Sequence, residues 1–199
     1  VMRGISKDVP WSGGRCGWLE FHTIPLDKEF QAYAEAIKKR VLMEVCSVSL
    51  PQFILPKIYD HPDFETWSAE YNKQLENNSN HIANTLAKSD KLIVNRTNGA
   101  FYMMPLFKEG VLNNHQTLPI ADPQVKAYIE EQVAKPGFPL DQRFTYYLLA
   151  TTGVCVVPAS GFFSPYSGFR LTTLDRDENR RTQTYESVLN AIEEYTASA

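Results

Sequence analysis

The chain has 199 residues, carries a formal net charge of −3 at pH 7 and contains 43% hydrophobic residues. A chain of this length can bury a sizeable core in one or two domains, and the composition is that of a soluble globular protein. The small acidic excess and the lack of a basic cluster argue against a nucleic-acid-binding groove.

Cysteine usage and the distribution of apolar residues bear on the cellular compartment. Cys16, Cys46 and Cys155 are odd in number and lack the paired spacing of a metal site, so we expect reduced cysteines that pack in the interior and no bound metal. No basic region followed by an apolar run opens the sequence, and no apolar stretch is long enough to span a bilayer. The sequence therefore predicts a cytoplasmic protein.

The first predicted elements are a strand and a helix. Residues 15–23 are rich in β-forming side chains and alternate in polarity, which predicts a strand that ends before Pro25. Asp27 can cap a helix that continues to about Cys46. Apolar side chains recur along this helix at helical spacing, and we expect that stripe in the core. The stripe consists of Phe30, Tyr33, Ala34, Ile37, Val41 and Val45.

Two more helices follow in the sequence. Residues 47–58 are apolar and predict a short helix that is capped by Ser49 and has Pro51 in its first turn. A longer helix is predicted over residues 62–88. Residues 77–80 are weak helix formers and predict a bend in its middle.

The rest of the chain reads as a small α/β unit. Predicted strands are residues 92–94, 100–107, 154–158 and 169–174, with Pro105 at an edge or a strand end. Helices are predicted over residues 122–134 and 141–152, each capped by its first residue, an aspartate. An amphipathic helix that begins at Asp175 or Asp177 closes the chain, and we expect its charge run, residues 176–181, to face solvent.

A lysine and an arginine lie among glycines near the start of the sequence. Lys7 follows a short apolar run, and Arg15 comes eight residues later within a glycine-rich stretch. Lysine forms a Schiff base with an aldehyde, and arginine binds phosphate with two parallel hydrogen bonds. The glycines let backbone approach a bulky anion. The stretch suits a ligand with an aldehyde and a phosphate, although Lys7 and Arg15 taken alone also suit an ordinary surface turn.

The whole stretch resembles the lysine signature of the class I and II pyridoxal-phosphate-dependent aminotransferases. That signature has a lysine after small and apolar residues, followed by Gly-x-Arg-x-Gly, as residues 4–17 do here. The resemblance implies that Lys7 binds pyridoxal 5'-phosphate covalently and is catalytic, and that Arg15 binds the phosphate. Gly4 and Ser6 belong to the same implied cofactor site, and Gly4 stands where many members of the family have a serine.

A second stretch resembles the strand-turn-strand near the C terminus of the same family. Residues 153–162 and 168–172 carry it, and the resemblance implies that Arg170 binds the α-carboxylate of the substrate. An arginine inside an apolar strand is costly to bury unpaired and requires an anionic partner. Considered without the resemblance, Arg170 also suits a structural ion pair.

The resemblance covers nearly the whole chain and implies an α/β protein of the aspartate aminotransferase-like fold. Residues 1–77 would be the C-terminal part of the large cofactor-binding domain, and residues 78–199 the small domain. Relatives have about another half chain before the lysine, so we expect a C-terminal fragment that is inactive by itself and belongs to a homodimeric parent.

The implied function is transfer of an amino group between an amino acid and a 2-oxo acid, with no nucleic-acid or membrane partner. Two alternatives remain open at this point. A C–S lyase or β-lyase of the same fold would keep Lys7, Arg15 and Arg170. A non-catalytic regulator that senses pyridoxal phosphate would keep the same lysine.

Overall fold

The computed structural model of the protein describes residues 1–198. The chain divides into two compact units, Val1–Ser68 and a second unit from Ala69 onwards. The division falls on the same helix as the boundary that the resemblance implies near Asn78. The assignment of the two parts to a large and a small domain stays a prediction.

The first unit begins with a hairpin. Strand β1 (Met2–Gly4) pairs antiparallel with β2 (Gly17–Leu19), and a one-turn helix α1 (Ile5–Asp8) lies between them. The predicted strand over residues 15–23 is therefore present but shorter. Helices α2 (Lys28–Val41) and α3 (Ser49–Tyr59) follow in this unit.

Helix α2 begins where the sequence predicts and ends earlier. Asp27 Oδ1 accepts hydrogen bonds from the backbone N–H groups of Glu29 and Phe30 at 2.8 and 3.0 Å, which confirms the cap. The helix stops at Val41 instead of about Cys46.

The expectation that the apolar stripe of α2 is core is wrong within this unit. Ala34 is fully buried, but Tyr33 is 61% exposed and Val45, beyond the helix end, is 92% exposed. The physical reason is that the first unit buries too few residues to form a hydrophobic core against which the stripe could pack. Its buried residues are Ile5, Gly14, Ala34, Pro51 and Leu55.

Helix α3 corrects a second cap prediction. Ser49 is the first helical residue instead of the cap, Val48 occupies the cap position, and no side chain caps the helix. Pro51 lies in the first turn, as predicted, where its missing N–H leaves no intrahelical hydrogen bond unmade.

Helix α4 (Phe64–Leu86) begins in the first unit and continues into the second, close to the predicted range. It is helical through residues 77–80 although the amides there favour other conformations. The Asn78 side-chain amide donates to the carbonyl oxygens of Thr173 and Asp175 at 2.9 and 3.1 Å. These tertiary hydrogen bonds satisfy the buried amide group without disturbing the helix backbone.

The second unit contains two small antiparallel sheets. Strand β3 (Leu92–Ile93) pairs with β5 (Leu106–Phe107). Strand β7 (Phe169–Thr172) is the centre of the other sheet, between β4 (Tyr102–Met103) and β6 (Val157–Pro158). The single strand predicted over residues 100–107 is thus two strands in different sheets, because the chain changes partner at Pro105, which has no N–H for a ladder.

Three helices pack on these sheets: α5 (Pro123–Val133), α6 (Leu140–Thr152) and α7 (Glu178–Ala197). Together with α4 they enclose one contiguous core. Its fully buried large side chains include Ile82, Leu86, Phe144, Leu148, Phe169, Ile192 and Tyr195. The Asp122 side chain caps α5, as predicted, and Asp177 is the residue that caps α7 through the N–H of Arg180 at 2.9 Å.

Two predictions for polar residues of the second unit are corrected. Asp141 does not cap α6, which begins at Leu140 after Pro139, and the Asp141 side chain is buried. Arg181, in the charge run, is also buried and donates to the carbonyl of Asp175 at 2.9 Å.

The three cysteines are unpaired, but the expectation that they pack in the interior is wrong. Cys46 and Cys155 are exposed, and Cys16 is half-buried. No helix within residues 1–198 has both the length and the apolar character that a bilayer crossing requires.

Candidate functional site

The hairpin of the first unit holds four of the five predicted site residues together. Gly4 lies opposite Gly17 at the inner end of the β1–β2 ladder. The Ile5 N–H donates to the Cys16 carbonyl at 3.2 Å, and the Trp11 N–H donates to the Ile5 carbonyl at 3.0 Å. These bonds close the intervening loop, so that Gly4, Ser6, Lys7 and Arg15 all lie at one end of one hairpin.

Two glycines of this loop are required by packing. A Cβ on Gly14 would lie 2.6 Å from Ile5 Cδ1 and 2.8 Å from Cδ2 of Trp11. A Cβ on Gly17 would lie 2.8 Å from the Arg3 carbonyl oxygen across the ladder. A Cβ on Gly13, by contrast, would meet no atom within 4 Å, so the loop has open space at that position. Gly14 therefore lets Ile5 become the one buried aliphatic anchor of the hairpin.

Arg15 has a strained backbone at the mouth of this loop. Its φ and ψ are 47° and 45°, in the left-handed region, which costs a residue with a side chain about 1–2 kcal/mol. Its Nη1 donates to the Ser12 carbonyl at 3.0 Å, and the side chain is exposed. Backbone strain that the surrounding structure maintains is a feature of binding sites.

The donor set at this end of the hairpin fits a ligand with an aldehyde and a phosphate. Lys7 is exposed on α1 and supplies a primary amine, while Ser6 beside it supplies a hydroxyl. Arg15 supplies a guanidinium, the group best suited to a phosphate. These are the groups that pyridoxal phosphate requires for covalent attachment and for charge neutralisation.

Arg15 also borders the cleft of the first unit. The cleft has a volume of about 1350 Å³, and its lining includes Arg3, Trp18, Ile37 and Leu55 in addition to Arg15. Lys7, Ser6 and Gly4 do not line it. The cleft is thus mainly an apolar surface between the hairpin and helices α2 and α3, with Arg15 at its margin.

A tyrosine that the sequence did not single out supports the lysine segment. Tyr59 Oη donates to Asp8 Oδ2 at 2.7 Å and so ties the end of α3 to the residue after Lys7. Burial, together with the hydrogen bond to Asp8 and its negative charge, raises the pKa of Tyr59 to about 12. The two residues are 51 positions apart, so no local pattern indicates this contact.

Arg170, the fifth predicted residue, belongs to the second unit and lies on its central strand β7. Its guanidinium carbon is 4.4 Å from the ring centroid of Tyr102 and 4.4 Å from that of Phe162. Tyr102 comes from β4 and Phe162 follows β6, which flank β7 on its two sides. The Arg170 cation thus lies over the faces of two aromatic rings, an arrangement that is favourable because the ring face is negative.

The ion pairs within residues 1–198 do not include Arg170. The structural ion pair considered for this arginine is therefore not formed within that part of the chain. A half-buried guanidinium that lies over two aromatic rings and has no carboxylate partner among residues 1–198 is suited to bind a carboxylate from outside. The sequence made Arg170 a candidate but did not indicate its contact with either ring, because Tyr102 is distant in sequence and Phe162 reads as an ordinary apolar residue.

Comparison with known proteins adds an independent finding. The family model described as aminotransferase class I and II matches residues 1–183. The chain belongs to this family. An uncharacterized aminotransferase of Methanocaldococcus jannaschii is 40% identical over 194 residues, an alignment that covers 98% of the chain and 44% of that relative.

Solved structures agree on the fold. Both an aspartate aminotransferase from Rhizobium meliloti (TM-score 0.65) and an alanine aminotransferase from Pyrococcus furiosus (TM-score 0.72) are 22% identical to the chain. Each alignment covers 98% of the chain and 42% of the solved structure. These likenesses confirm the predicted aspartate aminotransferase-like α/β fold. The chain spans less than half the length of the aminotransferases it matches.

Proposed function

We propose that this chain is part of an aminotransferase that moves an amino group between an amino acid and a 2-oxo acid, with pyridoxal 5'-phosphate bound at Lys7. The observation that supports the proposal is the Gly4–Gly17 pairing of the β1–β2 hairpin, since Ser6, Lys7 and Arg15 all belong to the loop that this pairing encloses. Membership of the aminotransferase class I and II family supports the same reaction.

Lys7 has two tasks in this proposal. Its Nζ would hold the cofactor through the aldehyde. When it is not attached to the cofactor, the same amine would accept the proton from the substrate Cα and later donate a proton, as general base and general acid. When bound, pyridoxal phosphate supplies the electron sink that makes the Cα proton removable.

Arg15 and Ser6 neutralise and hydrogen-bond the phosphate, which anchors the ligand while Lys7 is released. Gly4 borders the same site through its backbone. The left-handed backbone of Arg15 and its hydrogen bond to the Ser12 carbonyl support this role, because they restrict the conformation of the arginine. A phosphate contact by arginine is charge-assisted and about twice as strong as a neutral hydrogen bond.

Arg170 binds the α-carboxylate of the amino acid. Its guanidinium carbon lies over the rings of Tyr102 and Phe162, and these two contacts would limit the orientations in which the N–H donors meet a carboxylate. A carboxylate fixed in this way restricts the direction of the Cα–H bond, and alignment of reacting groups can contribute on the order of 7 kcal/mol in ideal cases.

The first unit supports a proposal about assembly. Its exposed apolar side chains include Leu42, Met43, Val45, Leu50 and Phe53, and the apolar cleft adjoins them. Monomeric proteins rarely expose apolar surface of this extent. We therefore propose that this surface is covered in the intact protein, which we take to be a homodimer. We also propose that residues 1–77 belong to its large domain and residues 78–199 to its small domain.

The function is tested on the intact parent protein loaded with pyridoxal phosphate. A panel of amino acids is incubated with a 2-oxo acid, and the products are separated by chromatography. Formation of a new amino acid that matches the 2-oxo acid supports the proposal. Release of ammonia and pyruvate without amino transfer would indicate a lyase, and binding of the cofactor without turnover would indicate a regulator.

A further inference from the structure

Asp141 is a buried carboxylate that serves neither as a helix cap nor in an ion pair within residues 1–198. It lies in the first turn of α6 and is 1% exposed. Its Oδ1 accepts from the N–H of Gln142 at 2.8 Å. Its Oδ2 accepts from the N–H of Ser160 at 2.8 Å and from the N–H of Gly168 at 3.4 Å.

The two amides on Oδ2 are at opposite ends of one turn, residues 159–168, which connects β6 to β7. The Ala159 N–H also donates to the Gly168 carbonyl at 2.9 Å, so the ends of the turn are joined directly as well as through Asp141. Gly168 is packed against Pro105, where a Cβ would lie 2.5 Å from the carbonyl oxygen. Asp141 therefore fixes the base of this turn against the sheet.

This turn carries one of the two rings that contact Arg170. Phe162 lies in the turn, and Gly168, the last residue before β7, is two residues before Arg170. The Asp141 side chain binds the N–H groups of both Ser160 and Gly168. It therefore restrains the position of the Phe162 ring and the conformation of the backbone just before Arg170.

We propose that Asp141 is a positioning residue for substrate binding: through the backbone of residues 159–168 it holds Phe162 against Arg170 and so fixes the plane in which Arg170 meets a substrate carboxylate. The inference rests on the proposed role of Arg170. It concerns a residue of helix α6, whereas Arg170 lies on strand β7.

The test uses the intact parent protein with Asp141→Ala and Asp141→Asn. The asparagine side chain has one oxygen that can accept hydrogen bonds from backbone N–H groups, whereas its NH2 group cannot accept any. Asp141→Asn should therefore keep only some of the hydrogen bonds that Asp141 makes. Thr145→Val is the matched control. Thr145 is buried in the same helix, and its hydroxyl donates to the Gln142 carbonyl instead of to the turn.

For Asp141→Ala we expect KM for the amino acid to rise about tenfold to a hundredfold, with a smaller change in kcat. The reason is that a shift of about 1 Å in a substrate-binding group such as Arg170 can have an effect of about a hundredfold. We expect Asp141→Asn to lie between this variant and the wild type, and Thr145→Val to keep the wild-type KM. Turnover of a primary amine without a carboxylate should be unchanged in all variants. Propionate, a carboxylate with no reacting group, should inhibit Asp141→Ala more weakly than the wild type.

A second readout does not depend on turnover. Hydrogen exchange of the intact protein should become faster in peptides that contain residues 159–168 in Asp141→Ala, and not in Thr145→Val. If Asp141→Ala does not fold, Asp141→Asn supplies both readouts.

Failure of the inference and failure of the proposed function are distinguishable. If Arg170→Ala raises KM while neither Asp141 variant does, the positioning role is overturned and the role of Arg170 stands. If Arg170→Ala also leaves KM and propionate inhibition unchanged, the proposed carboxylate site itself is wrong. Loss of activity on amines and amino acids alike in Asp141→Asn would show a purely structural role and would overturn the inference.

Discussion

Gly4 and Gly17 face each other in the β1–β2 hairpin, and this pairing determines where the candidate cofactor lysine lies. Lys7 is three residues beyond Gly4, and Arg15 is two residues before Gly17. The register therefore places Lys7 and Arg15, which are eight positions apart in sequence, in one loop that the hairpin closes. The following predictions start from this arrangement and from the aromatic contacts of Arg170.

Lys7→Ala should abolish the absorbance of the protein-bound Schiff base in the intact protein, because alanine has no amine to react with the aldehyde. Lys7→Arg should do the same, since arginine keeps the positive charge but is not nucleophilic. Lys39→Ala, which removes an exposed lysine of α2, is the control and should leave the spectrum unchanged. A Lys7→Ala protein that retained this absorbance would remove Lys7 from the cofactor site.

Arg170→Ala should weaken the use of amino acids in general while cofactor binding survives. Loss of a charge-assisted carboxylate contact costs about 1.5–3 kcal/mol, which corresponds to an increase in KM of about tenfold or more. Steady-state kinetics on several amino acids measures the effect. Arg176→Ala, at an exposed arginine that stacks on Tyr71, is the control. Equal wild-type activity on an amine without a carboxylate and on the matching amino acid would contradict the assignment.

Gly14→Ala should destabilise the hairpin, whereas Gly13→Ala should not. The new methyl group at Gly14 meets Ile5 Cδ1 at 2.6 Å and the Trp11 ring, and Ile5 is fully buried. Such overpacking costs about 1–3 kcal/mol. The Gly13 position is open, and neither glycine has a positive φ. The urea midpoint of the intact protein is the measurement, and equal midpoints for the two variants would show that the close packing of this loop is not present in solution.

Tyr59→Phe should remove the hydrogen bond between Tyr59 and Asp8 and lower the free energy of unfolding by about 0.5–1.5 kcal/mol near neutral pH. The pKa of Tyr59 is raised from 10.0 to about 12 by burial and by Asp8. Because the folded state holds this proton more tightly than the unfolded state, the stabilisation is complete below pH 10 and is lost as the pH rises toward 12. The difference in stability between wild type and Tyr59→Phe should therefore shrink over this range. Tyr33→Phe, at an exposed tyrosine, is the control and should leave the stability near neutral pH unchanged.

The 199-residue chain by itself should not turn over any amino acid, and its two units should differ in protection from hydrogen exchange. Residues 1–68 bury few side chains and expose a large apolar surface, so they should exchange quickly or associate. Residues from 69 onwards have a continuous core and should be protected. Titration with pyridoxal phosphate provides the decisive check: saturable micromolar binding with turnover would contradict the prediction.

Local patterns in the sequence were sufficient for much of the fold. Asp27, Asp122 and Asp177 cap helices where predicted, because an N-cap depends on a side chain and on amides only two or three residues away. The lysine and arginine motifs were also readable, since each consists of residues close together along the chain. These motifs led to the correct family and fold.

The tertiary structure was needed to find the roles of residues whose partners are far away along the sequence. Asp141 reads as a cap, yet its carboxylate binds amides 19 and 27 residues away. Tyr59 reaches Asp8 across 51 residues, and the rings on Arg170 come from two separate segments. The apolar stripe of α2 reads as core but is largely exposed, because periodicity marks a face that can be buried and does not tell what covers it. A local pattern records the preferences of neighbouring residues, whereas burial and the choice of hydrogen-bond partner are settled by the packing of segments that the sequence keeps far apart.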